Sequence, residues 1–124
     1  MKIAVTYEKG NVFQHFGKTT QFKIYEISNN EIKNTYIIGN NDITHCALID
    51  YLKSLNIDIL ICGGLGYGAV SKLNELRIKL YAGVSGSADD AVNDLLENHL
   101  NYDNDHTCEE EHLHTCHDDI KPIM

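Results

Sequence analysis

No stretch of this chain approaches the ~20 consecutive apolar residues that a membrane-crossing helix needs, so a transmembrane helix is excluded. The start carries no basic segment followed by a long apolar one. Ile3-Ala4-Val5 reads at once as a strand, no secretory signal is visible, and the expected location is the cytoplasm. Basic charge is also scarce: 10 Lys and Arg face 18 Asp and Glu, for a net charge of −8. Affinity for phosphate backbones comes largely from Lys and Arg, so this balance argues against nucleic acid and against anionic membrane surfaces as partners. The same acidity suits cation capture, although it also serves plain solubility. Paired C-x-x-C is missing, so the four cysteines Cys46, Cys62, Cys108 and Cys116 do not form a zinc-finger pattern. In a reducing compartment they are expected as thiols, with metal binding or reactivity a better role than bridging. Catalytic sets are missing too. Ser71, Ser85 and Ser87 lack a nucleophile-elbow context. A two-metal nuclease needs an inward acid on the first strand, and there the nearest, Glu8, falls in the following loop.

What is present is one domain's worth of chain, 124 residues with 43% hydrophobic content. Ile3–Thr6 reads as a strand and 10–17 as a loop or short hairpin. Gln21–Ile27 and Ile32–Ile38 alternate as strands around the turn signal Asn29-Asn30, with Ile32, Asn34, Tyr36 and Ile38 placed on one side. The period then becomes helical: Ala47, Leu48, Tyr51, Leu52 and Leu55 follow Thr44, a candidate cap. Ile57–Cys62 is a buried, parallel-type strand, and Cys62 closes it as a core residue. After the glycine-rich turn 63–68, Ala69, Val70, Leu73 and Leu76 mark a second helix and Ile78–Tyr81 another strand. A third helix is capped by Ser87, with Asp90 three positions on and Val92, Leu95 and Leu96 inside. Three strands followed by helix, strand, helix, strand, helix specify an α/β layer structure with a mixed sheet.

From about Asn101 the chemistry changes. Residues 101–124 hold four of the seven histidines, two of the four cysteines and seven acids, with almost no apolar periodicity. The expectation is a domain over 1–100 and a flexible His/Cys-rich acidic tail over 101–124, unless a metal orders it. His106-x-Cys108 and His112-x-His114-x-Cys116-His117 combine imidazole and thiolate, which suit zinc, nickel, copper or iron. The acid run 109–111 adds a negative potential that favours cations.

Two further constellations lie inside the domain. His15-Phe16-Gly17 sits in the first loop; as a metal anchor His15 needs a second ligand, and Cys46 beside His45 is the candidate if the first helix begins next to that loop. Gly64-Leu65-Gly66-Tyr67-Gly68-Ala69 formally matches G-x-G-x-x-A between a strand and a helix. Because the next strand ends in Ala82-Gly83, with no acid for a ribose, an anion-binding turn at a helix start is preferred to a dinucleotide site.

His15-Phe16-Gly17, the glycine loop 63–68 and Ile78-Lys79-Leu80-Tyr81-Ala82-Gly83 before a short acid-capped helix together resemble the dinitrogenase iron–molybdenum cofactor biosynthesis family, over about residues 1–100. That family includes NifX, NafY and the C-terminal domain of NifB. The resemblance implies a ribonuclease H-like fold with a five-stranded mixed sheet flanked by helices. It implies a nitrogenase-accessory type of protein, not an enzyme, that binds or carries an iron–sulfur or iron–molybdenum-type cluster during cofactor assembly. His15 is then a cluster ligand, with Cys46, Gly64 and Gly66 as further contacts, and cluster assembly or acceptor proteins are the implied partners. The alternative is a metal-ion chaperone or sensor acting through His106, Cys108, His112, His114, Cys116 and His117, with the domain as an interaction module. A degenerate ribonuclease H-like hydrolase comes third, against the missing acid on the first strand.

Overall fold

A computed structural model describes residues 1–40 and 47–102. The chain opens with strand β1, Lys2–Glu8, which turns through Lys9 and Gly10 into the two-residue β2, Asn11–Val12. Both turn residues have positive φ, 53° and 90°, as a tight two-residue hairpin with a right-handed twist demands. A single 3-10 turn, Phe16–Lys18, leads into β3, Gln21–Ser28. A second two-residue turn, Asn29-Asn30 with φ of 53° and 62°, reverses it into β4, Glu31–Gly39. The expected Asn-Asn hairpin is therefore present. α1 (Leu48–Ser54), β5 (Ile59–Ile61), α2 (Tyr67–Glu75), β6 (Lys79–Tyr81) and α3 (Ala88–Leu96) complete the described chain. Thr44, proposed as the cap of the first helix, lies outside the described residues.

The six strands form a mixed sheet ordered β4-β3-β1-β5-β6, with β2 paired to β1 off that path. β1, β3 and β4 are antiparallel neighbours, while β5 lies parallel to β1 and β6 parallel to β5. Five strands were expected; the sixth is the short β2, inside the segment read as a loop or hairpin.

Alternation divides the core between the two faces of the sheet. Ala4, Phe22, Ile24, Leu60 and Leu80 pack under α1 and α2, against Leu48, Ile49, Leu52 and Leu73. Ile3, Val5, Tyr25, Ile27 and Ile61 pack under α3, against Ala88, Ala91 and Val92. This is the α/β layer structure with helices on both faces. Cys62 is fully buried in the first cluster, as expected of a core cysteine.

One face assignment is corrected. Ile32 and Ile38 were placed on the same side of their strand, yet Ile38 packs on the α1–α2 side and Ile32 on the α3 side. Ile27 pairs with Ile32 but Glu26 pairs with Asn34, so Lys33 is an extra residue. A one-residue bulge inverts every side chain beyond it.

α3 is fixed at its start by Ser87, whose Oγ accepts from the Asp90 N–H at 3.2 Å. Asp89 ties the helix to the sheet, accepting from Tyr25 Oη at 2.6 Å and from Lys23 Nζ at 2.8 Å. The Lys23 hydrogen bond first, then that from Tyr25, holds the Asp89 carboxyl below its ordinary pKa. Burial, reinforced by Asp89, pushes the Tyr25 phenol well above its own.

Candidate functional site

The parallel strands β1, β5 and β6 all end on one edge of the sheet, the edge where open α/β sheets place ligands. Three loops meet there. Phe13–Phe16 runs beside Gly63 and Gly64 like a short extra strand. The Phe13 N–H returns to Thr6 O at 2.9 Å, Gly63 N–H donates to Phe13 O at 3.3 Å, Gly64 N–H to Gln14 O at 2.7 Å and Phe16 N–H to Gly64 O at 3.0 Å. His15 and Gly64 form a parallel bridge. On the far side Gly83, at φ 72°, donates to Gly63 O at 2.8 Å. Across this edge the order is therefore the His15 loop, the glycine loop and the turn after β6.

The close approach needs glycine at position 63. A Cβ there would lie 2.6 Å from Gln14 Cα and 2.8 Å from Gln14 O, both backbone atoms that cannot yield cheaply. Gln14 completes the fit: its Nε2 donates to Val12 O at 3.0 Å and to Val84 O at 3.1 Å, fastening the loop to the turn after β6. Buried Thr6 donates its hydroxyl to Phe13 O at 2.8 Å. Phe16, also buried, anchors the loop in the core.

On this braced loop His15 is exposed. Its backbone precedes the 3-10 turn at φ −129°, ψ 100°, and its side chain makes no capping bond to that turn. The Phe13 ring stands edge-on to the imidazole, with centroids 6.3 Å apart. Three positions after Gly63, Gly66 is the N-cap of α2 in extended conformation, and no side chain caps that helix. Tyr67, the first helical residue, is 61% exposed, so the loop delivers an aromatic ring to the surface directly beside the helix start.

The predicted contacts separate as follows. His15 and Gly64 are brought together, and Gly66 stands at the helix start two residues on. Gly64 offers no amide of its own, because its N–H and C=O are both used to hold the His15 loop. Cys46 and its neighbour His45 lie outside the described residues, as do His106, Cys108, His112, His114, Cys116 and His117. Among the described residues no three His, Cys, Asp or Glu side chains gather as a metal site. Gln14, Gly63 and Gly83 were not singled out as site residues. Gly63 and Gly83 stood inside quoted motifs, but the role of Gln14 depends on Val84, 70 residues away, and no local pattern announces it.

Comparison with known proteins now bears on this arrangement. Residues 1–98 match the family described as dinitrogenase iron-molybdenum cofactor. The uncharacterized protein MJ0580 of Methanocaldococcus jannaschii is 32% identical over 108 residues, covering 81% of this chain and 89% of its own. Among solved structures, PH0822 superposes with a TM-score of 0.78 at 27% identity, covering 85% of this chain and 96% of that one. The apo form of the orange protein from Desulfovibrio gigas superposes at 0.71 with 20% identity, covering 82% and 92%, a likeness of fold alone. Among the described residues no helix is long and apolar enough to cross a membrane.

Proposed function

The chain belongs to the dinitrogenase iron–molybdenum cofactor family, and from that premise we propose that it is a non-catalytic cytoplasmic carrier that takes an iron–sulfur or iron–molybdenum-type cluster as cargo at the His15 loop. The observation that carries the reading is the bridge between His15 and Gly64 at the ends of the parallel strands. It sets an exposed histidine on a loop held by backbone hydrogen bonds, near the uncapped start of α2. Imidazole is a suitable donor for iron. The partial positive charge of a helix start favours an anionic cargo.

The donor set suits a carried cluster better than a closed ion site, which takes about four protein ligands. One imidazole holds cargo at a single point and leaves its other faces to a donor or acceptor protein. Cys62, the nearest described thiol in sequence to the glycine loop, is fully buried and so no ligand. In this reading Gly64 positions His15, Gly66 opens the helix start to the cargo, and Cys46 is a second ligand. The same proposal assigns the fold as ribonuclease H-like and divides the chain into a domain over 1–100 and a metal-collecting tail over 101–124. The partners are cluster assembly or acceptor proteins.

The test is anaerobic reconstitution with iron and sulfide, followed by the visible spectrum. Wild type is expected to gain a cluster chromophore and His15→Ala to lose most of it. Equal chromophores in the two proteins would sink the reading. A second reading, a metal-ion chaperone working through the tail alone, is favoured by one observation: the described residues gather no three metal donors, whereas the tail holds six His and Cys. It expects metal uptake that ignores His15 and disappears when the tail cysteines and histidines are replaced.

A further inference from the structure

Gln14 stands between two pieces of chain that are anchored separately. Before it, β2 is pinned to the start of α3: Val12 N–H donates to Gly86 O at 2.8 Å and Ala88 N–H to Gly10 O at 3.0 Å. Asn11 and Ser87 form an antiparallel bridge at the same place. After it, His15 and Phe16 are fixed to Gly64. The chain bends at Gln14 itself, and that bend sets the direction in which the backbone enters His15.

The Gln14 side chain spans the bend. Its Nε2 donates to Val12 O, two residues back, and to Val84 O in the turn after β6. Its Oε1 lies over Gly63, 2.7 Å from where a Cβ would stand. A neutral amide nitrogen carries two N–H donors, one for each carbonyl; leucine offers none and an ionised glutamate only accepts. The far acceptor is well seated, since Val84 is buried and its N–H donates to Cys62 O at 3.1 Å. Across the bend the rings of Phe13 and His15 meet edge-on, 6.3 Å apart, a contact that depends on the angle of the bend.

We propose that Gln14 is a positioning residue for the candidate site: its amide holds the bend that aims the His15 imidazole, and ties the cargo ligand to the turn between β6 and α3. Gln14 acts through His15 and does not itself hold the cargo. The inference rests on the reading of His15 as the cargo contact. The backbone bonds to Gly63 and Gly64 need no side chain at position 14, so a variant there should fold and differ in where the imidazole points.

The experiment uses the full chain of wild type, Gln14→Leu and Ile57→Val. The last trims a buried residue of the α1–α2 cluster and serves as a control for stability alone. In the metal-free protein, wild type and Ile57→Val should show a nuclear Overhauser contact between the Phe13 and His15 rings, and Gln14→Leu should lose it. After anaerobic reconstitution with iron and sulfide, Gln14→Leu should load about three- to tenfold less tightly, the factor of one lost hydrogen bond. Ile57→Val should load as wild type does, at a urea midpoint no higher than that of Gln14→Leu. Should Gln14→Leu fail to fold, Gln14→Asn takes its place: it keeps an amide but is one methylene short for Val84 O, and the same losses are expected in smaller degree. An unchanged ring contact with unchanged loading in the position-14 variant would overturn the inference, as would an equal loss of loading in Ile57→Val. A chromophore that needs His15 but ignores Gln14 sinks only the positioning role. A chromophore that ignores His15 sinks the carrier reading, while the ring contact in the metal-free protein still reports whether Gln14 aims the imidazole.

Discussion

Gly63 and His15 are coupled through Gln14, so a single methyl group added at Gly63 should move the imidazole. Gly63→Ala places a Cβ against the Gln14 backbone, and overpacking of this kind costs about 1–3 kcal/mol. The expected outcome is a lower urea midpoint together with weaker cluster loading while His15 is intact. Gly68 is the control: a Cβ there meets nothing within 4 Å, and alanine in a helix is favoured over glycine. Gly68→Ala should therefore stabilise by about 0.5 kcal/mol, and loss of stability would contradict the open space described. Asp89 carries a separate, acid-side prediction. Its folded pKa is depressed by Lys23 and then Tyr25, so its contribution is complete above the ordinary aspartate pKa of about 4 and fades as pH falls through the depressed value. The wild-type advantage over Asp89→Asn in urea midpoint should shrink below about pH 4, and a difference constant from pH 7 to pH 2.5 would contradict it. At this scale the legible part of the candidate site was the kind of residues in it. His15 and the glycines declare themselves by type and motif. Gln14 does not, because its two acceptors, Val12 O and Val84 O, are joined only by the fold.

Secondary elements follow the same division between local pattern and distant pairing. Each strand and helix read from the sequence exists, since period-2 and helical apolar patterns report burial directly. The inversion within β4 was not legible, because a bulge adds a residue without altering composition. Its consequence is testable by deletion. Removing Lys33 leaves the pairs Ile27–Ile32 and Glu26–Asn34 adjacent in a regular ladder, so Ile32 keeps its place under α3. That variant should fold with a loss below about 1 kcal/mol, in the range of surface changes. Removing Thr35 as well leaves Ile32 and Ile38 an even number of positions apart, which puts both on one face of a regular strand and forces one of them to the wrong side. The unfolding midpoint of this double deletion should fall several times further. Comparable losses in the two deletions would show that the bulge does not set the faces. The bulge also suits β4's position as the outer strand beyond β3. Exposed Tyr36 and Ile37 lie along that edge, and a bulged edge carrying Lys33 is a poor template for pairing with another chain.

For the whole molecule, the question is where the domain ends. The family match stops at residue 98, and the change in composition suggested a boundary at 100. Packing extends further: Leu100 belongs to the cluster under α3 and Tyr102 rests on Tyr81. Neither contact is visible in the sequence, where Leu100 and Tyr102 stand as isolated apolar residues between polar ones. An aromatic pair contributes about 0.5–1.5 kcal/mol beyond its buried area, and a partly buried leucine about 1 kcal/mol more. For a domain of this size each kcal/mol moves the melting midpoint by about 4–8 °C. A chain ending at Asn98 should therefore melt roughly 6–20 °C below one ending at Tyr102. Equal midpoints in the two shortened chains would show that the contacts of Leu100 and Tyr102 add nothing to the folded unit.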